Sequence, residues 1–139
     1  MRVTEPISKL MTKEIIALNR DDDLETAEHL FKRRHIRHIP VVEEQVIIGM
    51  LSYTDLLRIS FADAVDEEDD AVDTTVYNMF SIEQVMVKNV VSVPSTASIK
   101  EVAEILSKKE FHALPVVDDG RLVGIVTTTD LINYLLKLL

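Results

Sequence analysis

The chain has 139 residues, of which 47% are hydrophobic, and its formal net charge at pH 7 is −9. It contains no cysteine, which excludes disulfides, thiolate zinc sites and cysteine nucleophiles, and which fits a reducing cytoplasm. The negative charge repels phosphate backbones and no apolar run approaches a membrane span, so we expect neither nucleic acid nor a membrane as the main partner.

The first part of the chain predicts the order β-α-β-β-α. Short runs rich in β-branched residues predict strands at 15–18, 39–42 and 46–51. Asp23 is expected to cap a helix with one apolar face. That face is formed by Leu24, Ala27, Leu30 and Phe31. The polar connection 43–45 is short enough for a hairpin turn, and a closing helix is expected to begin near Tyr53.

An acidic segment, residues 61–80, comes next. Its carboxylates are Asp63, Asp66, Glu67, Glu68, Asp69, Asp70 and Asp73. A run of like charges without apolar periodicity is typical of a solvated loop. A divalent-cation site is the alternative interpretation, because hard cations prefer several carboxylate oxygens, but the segment lacks the order and turn glycine of an EF-hand.

The same elements then return at a constant offset of 75 residues, from Pro40 to Pro115 and from Asp55 to Asp130. No gap is needed between the pairs Ile7/Ile82 and Leu57/Ile132. In this second copy, strands are predicted at 90–93, 114–117 and 122–126, with a hairpin turn at 118–120 and a helix capped by Ser98. Such a match indicates an internal duplication.

We therefore predict an α/β fold made of two β-α-β-β-α repeats. The first repeat is expected at 1–60, the acidic linker at 61–80 and the second repeat at 81–139. Each repeat is small, so the two are expected to pack together to form a stable core.

The motif Ser/Thr-x-x-Asp stands at each predicted strand-to-helix junction, as Ser52–Asp55 and Thr127–Asp130. It has two interpretations. As a capping box, the hydroxyl accepts from a backbone N–H and the carboxylate complements the helix dipole. As a binding site, the helix start holds a phosphate while the carboxylate accepts hydrogen bonds from a ribose diol.

No catalytic constellation is visible. The four histidines, His29, His35, His38 and His112, lack metal-ligand spacing, and neither a nucleophile elbow nor a P-loop occurs. We therefore expect a protein that is not an enzyme and that uses no metal and no cofactor.

The β-α-β-β-α order, the h-P-V-V element (h is apolar) and the G-h-h-[ST]-x-x-D-L ending, each present twice, resemble a tandem pair of CBS domains. This family is named after cystathionine β-synthase. The resemblance covers Ile7–Ile59 and Ile82–Leu136. It implies two repeats packed with pseudo-twofold symmetry and two clefts between them, which in many members bind AMP, ADP, ATP or S-adenosylmethionine.

The family pattern also implies site residues. In the preferred cleft Asp130 would hold the ribose, with Thr127 and Thr129 close to the phosphate or ribose. The remaining residues of this cleft are Met11, Ile16 and Ile36 near the adenine and Arg37, His38 and His112 as cations. The second cleft would use Ser52, Thr54 and Asp55, with Met86, Val91 and Phe111 as its adenine wall.

The cations before each Pro-Val-Val element differ between the copies. The first copy has His38 where the second has Ala113, so we expect unequal sites, with the Asp130 cleft the tighter one. A solvated basic face is the alternative, and Lys32, Arg33 and Arg34 are expected at a helix C-terminus, where cations are favoured anyway.

Two functional hypotheses remain. The first is a cytoplasmic regulatory module that senses an adenine nucleotide and acts on an effector protein or a second copy of itself. The second is a ligand-free dimerisation or packing module, in which both motifs are only helix caps. The resemblance implies a homodimer in either case.

Overall fold

The computed structural model describes residues 4–63, 79–109 and 112–139. The acidic residues from Asp66 to Asp73, with the cation-site hypothesis that rests on them, and the predicted site residue Phe111 lie outside these ranges. Within them the chain has the mixed α/β fold that the sequence predicts, with two copies of the β-α-β-β-α unit.

The first repeat has three strands and two helices. They are β1 (Leu18–Asn19), α1 (Leu24–Arg34), β2 (His38–Glu43), β3 (Val46–Ser52) and α2 (Tyr53–Asp63). β1 is parallel to β2, and β2 is antiparallel to β3. The central strand β2 is buried at three successive residues, Ile39, Pro40 and Val41, as expected of a strand that is covered on both faces.

The second repeat follows the same plan. Its elements are the short helix α3 (Ile82–Val85), then α4 (Ile99–Lys108), β4 (Ala113–Asp118), β5 (Arg121–Thr127) and α5 (Thr128–Leu138). β4 and β5 pair antiparallel, and Val93 forms a single parallel bridge to Val116. This bridge occupies the place that β1 has in the first repeat.

The first predicted strand of each repeat is shorter than expected. The run 15–18 was predicted to be a strand, but β1 includes only Leu18 and Asn19, and of the run 90–93 only Val93 pairs. A β-branched run favours an extended backbone, but it does not specify a hydrogen-bonded neighbour. The chain passes from one compact unit to the other inside each predicted run, after Ile15 and after Val90. The first residue of each run therefore belongs to a different unit from the strand that was predicted to contain it.

Both predicted hairpin turns are confirmed. Glu44 and Gln45 have φ values of 49° and 73°, and Asp119 and Gly120 have φ values of 52° and 79°. Two successive residues with positive φ are the signature of a type I′ turn, whose twist matches that of paired strands. Each hairpin also shifts register at the same relative position, between Val41 and Val42 and between Val116 and Val117.

Both predicted helix caps are confirmed as well. The Thr26 N–H donates to Asp23 Oδ1 at 2.8 Å, and the Glu101 N–H donates to Ser98 Oγ at 3.0 Å. The hydrogen bonds from Thr26, with its side-chain hydroxyl contributing most, lower the pKa of Asp23. α1 and α4 therefore begin where their sequences predict.

The two compact units of the fold do not coincide with the two repeats. One unit joins the residues up to Ile15 to those from Val91 onward, and the other runs from Ile16 to Val90. The leading segment of each repeat thus packs with the strands of the other repeat. We call the two units the N-unit (Ile16–Val90, with the first repeat's strands) and the C-unit (with the second repeat's strands).

Each exchanged segment completes a hydrophobic core. Ile7, in a 3₁₀ helix at Ile7–Lys9, is fully buried among Val102, Leu114 and Val126 of the C-unit. Its equivalent Ile82 is fully buried in the N-unit core. Backbone hydrogen bonds attach each segment as well, such as the one from the Ile7 N–H to the Ala97 oxygen at 2.7 Å.

Candidate functional site

The start of α5 carries one Ser/Thr-x-x-Asp motif, and it forms a complete capping box. Thr127 Oγ1 accepts from the Asp130 N–H at 3.1 Å, and Asp130 Oδ2 accepts from the Thr127 N–H at 3.0 Å. This motif therefore forms the capping box that the sequence predicts. The back-bond also holds the Asp130 carboxylate in one orientation at the positive end of the helix.

The start of α2 carries the other motif, and only half of its box is formed. Ser52 Oγ accepts from the Asp55 N–H at 3.0 Å. The Asp55 carboxylate instead accepts from Arg58 Nη1, at 3.2 Å from Oδ1. The two copies therefore hold their carboxylates by different partners, although their sequences align without a gap.

Each carboxylate keeps one oxygen available for a ligand. Within the described residues, Asp130 Oδ1 and Asp55 Oδ2 have no hydrogen-bond partner. An ionised carboxylate only accepts hydrogen bonds, so such an oxygen suits a group with two hydroxyl donors, such as a ribose diol. A phosphate would be repelled by the carboxylate, whereas the positive end of the helix dipole at the helix start attracts it.

A methionine from an exchanged segment lies against the strand that leads into each motif. Met11 packs on Gly124 of β5, where an added Cβ would lie 2.5 Å from its Sδ, and Met86 packs on Gly49 of β3 still more closely. The backbones pair beside these contacts, with the Thr12 N–H donating to the Ile125 oxygen at 2.8 Å. The exchange therefore brings Met11 into the same unit as Thr127 and Asp130.

Backbone hydrogen bonds fix the residues before each Pro-Val-Val element relative to the helix starts. The Tyr53 N–H donates to the Arg37 oxygen at 2.9 Å, and the Thr128 N–H donates to the His112 oxygen at 2.9 Å. Arg37 thus lies at the start of α2, in the unit of Asp55, and His112 lies at the start of α5, in the unit of Asp130.

The basic cluster at the end of α1 (Lys32, Arg33 and Arg34) forms two of its contacts within its own helix. Lys32 Nζ lies 2.8 Å from Glu28 Oε1, and Arg33 Nη1 lies 3.1 Å from His29 Nε2. Arg34 and Arg37 are exposed, with no side-chain partner among the described residues. This agrees with the interpretation of Lys32 and Arg33 as helix-terminal cations.

The structure divides the predicted site residues between the two units. The C-unit holds Met11, Val91, His112, Thr127, Thr129 and Asp130. The N-unit holds Ile16, Ile36, Arg37, His38, Ser52, Thr54, Asp55 and Met86. Each unit therefore contains one Ser/Thr-x-x-Asp helix start, one packed methionine and at least one basic side chain next to its Pro-Val-Val strand.

Two kinds of residue at these sites were not identified from the sequence. Arg58, the partner of Asp55, was overlooked although it stands three residues after the aspartate, a spacing that favours contact on a helix. Gly49 and Gly124 aligned in the repeat, but their role as clearance for a methionine was not predicted. The 75-residue offset shared by the two glycines and the two methionines was the signal for that contact.

The described residues contain no group of three or more His, Cys, Asp or Glu side chains able to hold a metal ion. None of the helices in the described ranges is both long and apolar enough to cross a bilayer. What the two helix starts offer is a carboxylate oxygen without a partner in the described part of the chain, which can accept a hydrogen bond.

Comparison with known proteins finds the same two repeats. The family model described as "CBS domain" matches the chain twice, at residues 7–62 and 82–137. The uncharacterized protein MJ1225 of Methanocaldococcus jannaschii is 26% identical over 131 residues, which make up 94% of this chain and 47% of that protein. The chain thus spans about half the length of that relative.

Two solved structures show the similarity over most of both chains. One is described as the acetoin utilization protein AcuB from Vibrio cholerae. It is 29% identical, with a TM-score of 0.80, and the match covers 96% of this chain and 91% of that chain. The other is the CBS domain pair of protein MJ0100 in complex with 5′-methylthioadenosine and S-adenosyl-L-methionine. It is 27% identical, with a TM-score of 0.73, and the match covers 95% of each chain.

Proposed function

The chain belongs to the CBS domain family, and on that basis we propose that it is a regulatory module that binds an adenine nucleotide at its Asp-bearing helix starts. The ligand class is AMP, ADP, ATP or S-adenosylmethionine. The observation that carries the proposal is the half-buried Asp130 carboxylate, which is oriented by its own cap and keeps one oxygen for a ligand.

The proposal assigns a role to each part of the Asp130 site. Asp130 accepts from the ribose hydroxyls, and Thr127 and Thr129 lie close to the phosphate or ribose. Met11 of the same unit packs near the adenine, and His112 lies close to the phosphate.

The Asp55 site is the second and weaker one under this proposal. Ser52, Thr54 and Asp55 take the ribose and phosphate, and Met86 of the same unit packs near the base. The ligands of MJ0100 support the chemistry, because 5′-methylthioadenosine and S-adenosyl-L-methionine both carry an adenosine. We propose adenosine as the recognised part, since all four candidate ligands share it.

A ligand-free packing module is the second candidate function. The observation that favours it is the complete capping box of Thr127 and Asp130, which gives both residues a structural role without a ligand. In this case the motif serves only to stabilise the helix, to which a cap contributes about 1 kcal/mol.

Calorimetric measurement of nucleotide binding to Asp130 variants will distinguish the sensing module from the packing module, because the variants separate capping from binding. Asp130→Asn keeps a side-chain oxygen for the Thr127 N–H but loses the charge, and Asp130→Ala removes both. We expect both variants to weaken the binding of AMP, ATP or S-adenosylmethionine at least tenfold, since a hydrogen bond to a charged group contributes about 1.5–3 kcal/mol.

Ser98→Ala is the matched control, because it removes the cap of α4 in the same unit but touches no proposed ligand. It should cost comparable stability and leave the affinity unchanged. If the wild-type chain binds none of the three nucleotides even at millimolar concentration, the sensing proposal is wrong and the packing module is favoured.

We further propose that the chain forms a homodimer, and α5 supports this. Ile132, Leu135 and Leu136 are 52%, 51% and 61% exposed and share one helix face. The only charged residues of α5, Asp130 and Lys137, lie on its opposite side. A chain of net charge −9 repels its own copies, so two copies associate most favourably through an uncharged apolar face.

Light scattering coupled to size-exclusion chromatography tests the dimer. Leu136→Glu should shift the chain to monomer, because burying an unpaired carboxylate in an apolar contact is costly. Val46→Glu, at a residue 48% exposed in the N-unit, is the matched control and should leave the dimer intact. A wild-type monomer would contradict the proposal and leave the apolar face to a different protein.

Regulation requires that the ligand favour one of two states of the protein. We propose that the nucleotide acts through the packing of the chain on a second copy or on an effector protein, and that no reaction is catalysed. The lack of cysteine supports a cytoplasmic location.

A further inference from the structure

The two aspartates of the repeated motif differ in what holds them, and the difference comes from one residue three positions downstream. In the N-unit, Arg58 Nη1 donates to Asp55 Oδ1 at 3.2 Å. The equivalent of Arg58 in the second repeat is Asn133. Asp130 instead turns back to its own helix start, where it accepts the Thr127 N–H.

We infer that Arg58 is a built-in competitor at the Asp55 site. It occupies Oδ1 and offsets the negative charge that would strengthen a hydrogen bond from a ribose to Oδ2, whereas the partner of Asp130 is an uncharged backbone N–H. This inference rests on the proposed function. It gives a physical reason for two sites of unequal affinity, because the second repeat has Asn133 in place of Arg58.

The position of Arg58 on α2 gives the competition its direction. A phosphate is favoured at the N-terminal end of the helix, near Ser52, where the positive end of the helix dipole attracts it. Arg58 lies one turn beyond Asp55 in the opposite direction, toward the C-terminal end. Its guanidinium therefore acts on the carboxylate and not on the phosphate.

The exposure of the pair determines how strong the competition is. The side chain of Arg58 is 72% exposed and that of Asp55 is 19% exposed, so a ligand can displace the arginine into solvent. Exposed ion pairs are weak, and losing this one corresponds to a change in affinity of about twofold to fivefold. Arg58 therefore tunes the site without closing it.

A reciprocal exchange between the repeats tests the inference by calorimetry with AMP. Each site is measured alone, the Asp55 site in an Asp130→Ala background and the Asp130 site in an Asp55→Ala background. Arg58→Asn should tighten AMP binding at the Asp55 site about twofold to fivefold. Asn133→Arg should weaken AMP binding at the Asp130 site by a similar factor, because it provides the same competitor.

The outcomes separate this inference from the proposed function. If AMP binds and Arg58→Asn leaves its dissociation constant unchanged, Arg58 is a surface residue and the inference is wrong. If Arg58→Asn weakens AMP but not adenosine, the arginine binds the phosphate, which also overturns the inference. If the Asp55 site is too weak to measure, the Asn133→Arg arm decides alone. Absence of AMP binding to the wild-type chain would instead remove the proposed function itself.

Discussion

The two hairpin turns have the same shape but different residues at their strained position. Gln45 and Gly120 occupy equivalent places, with φ values of 73° and 79°. A side chain at positive φ brings Cβ close to the backbone, whereas glycine adopts this conformation without penalty. The first repeat therefore carries strain that the second avoids.

Gln45→Gly should raise the free energy of unfolding by about 0.5–1 kcal/mol, because the relief of strain exceeds the added entropy of the unfolded chain. Urea denaturation measures this. Gly120→Gln is the mirror-image control and should lower stability by about 1 kcal/mol. A loss of stability in Gln45→Gly would show that the turn is not strained.

Equivalent residues of the two repeats also meet different charges at the sheet edge. Ser95 donates to Asp118 from both its N–H, at 3.0 Å, and its hydroxyl, at 2.5 Å. These hydrogen bonds, the hydroxyl first, lower the pKa of Asp118. The corresponding residues in the first repeat, Arg20 and Glu43, form an ion pair at 3.2 Å that also includes Glu83.

Asp118 gives the chain a stability that depends on pH. Because its pKa is lower in the folded chain, the contribution is fully present above the unfolded value of about 3.9 and is lost as the pH falls through the folded value. We expect Asp118→Asn to reduce the melting temperature at pH 7 and to differ less from wild type at pH 3. Ser95→Ala should show the same convergence, and a constant difference across this range would contradict it.

At the scale of elements, each hairpin is joined to the leading segment of the other repeat by a methionine packed on a glycine. Met11 covers Gly124 and Met86 covers Gly49, and each contact lies beside a pair of backbone hydrogen bonds. A Cβ at either glycine would overlap the methionine. The glycine is therefore required by close approach, not by a special φ value.

Gly124→Ala should destabilise the chain by about 1–3 kcal/mol, as overpacking of a core does. Met11→Ala alone should also cost stability, because it leaves a gap over Gly124. The two changes together should cost less than their sum, since the new methyl group then occupies space that the methionine left. A double-mutant cycle in urea measures this coupling, and strict additivity would show that the two residues do not share a packing site.

At the scale of the whole molecule, the exchange of leading segments makes the units of packing different from the units of sequence. Ile7 lies at the start of the first repeat but is fully buried in the core of the C-unit, and Ile82 lies at the start of the second repeat but is fully buried in the N-unit. A change in one repeat's leading segment is therefore expected to weaken the other repeat.

Ile7→Ala should cost about 2–5 kcal/mol, the range for deleting a buried aliphatic side chain. Hydrogen exchange should increase first in β4 and β5, while β2 and β3 keep their protection. Ile82→Ala is the symmetric control and should reverse this pattern. Faster exchange in β2 and β3 after Ile7→Ala would contradict the exchanged packing.

Much of the fold was predictable because its signals are local. The caps at Asp23 and Ser98 and the hairpins at 43–45 and 118–120 depend on a few neighbouring residues, and all are confirmed. The first strand of each repeat was predicted too long, since pairing depends on a partner distant in sequence. The motif of the candidate site was predictable, but its contacts were not. Whether Asp55 pairs with Arg58 or turns back to its own helix start depends on side-chain rotamers, which a sequence motif does not specify.

By itself, the sequence determined the duplication, the order of elements in each copy and the membership of the chain in its family. These follow from the residue types, their periodicity and the 75-residue offset. Only the tertiary structure decided that the leading segments change places and that Asp130 caps its helix while Asp55 pairs with Arg58. Long-range packing and rotamer choice depend on competition among contacts that become comparable only after the chain has folded.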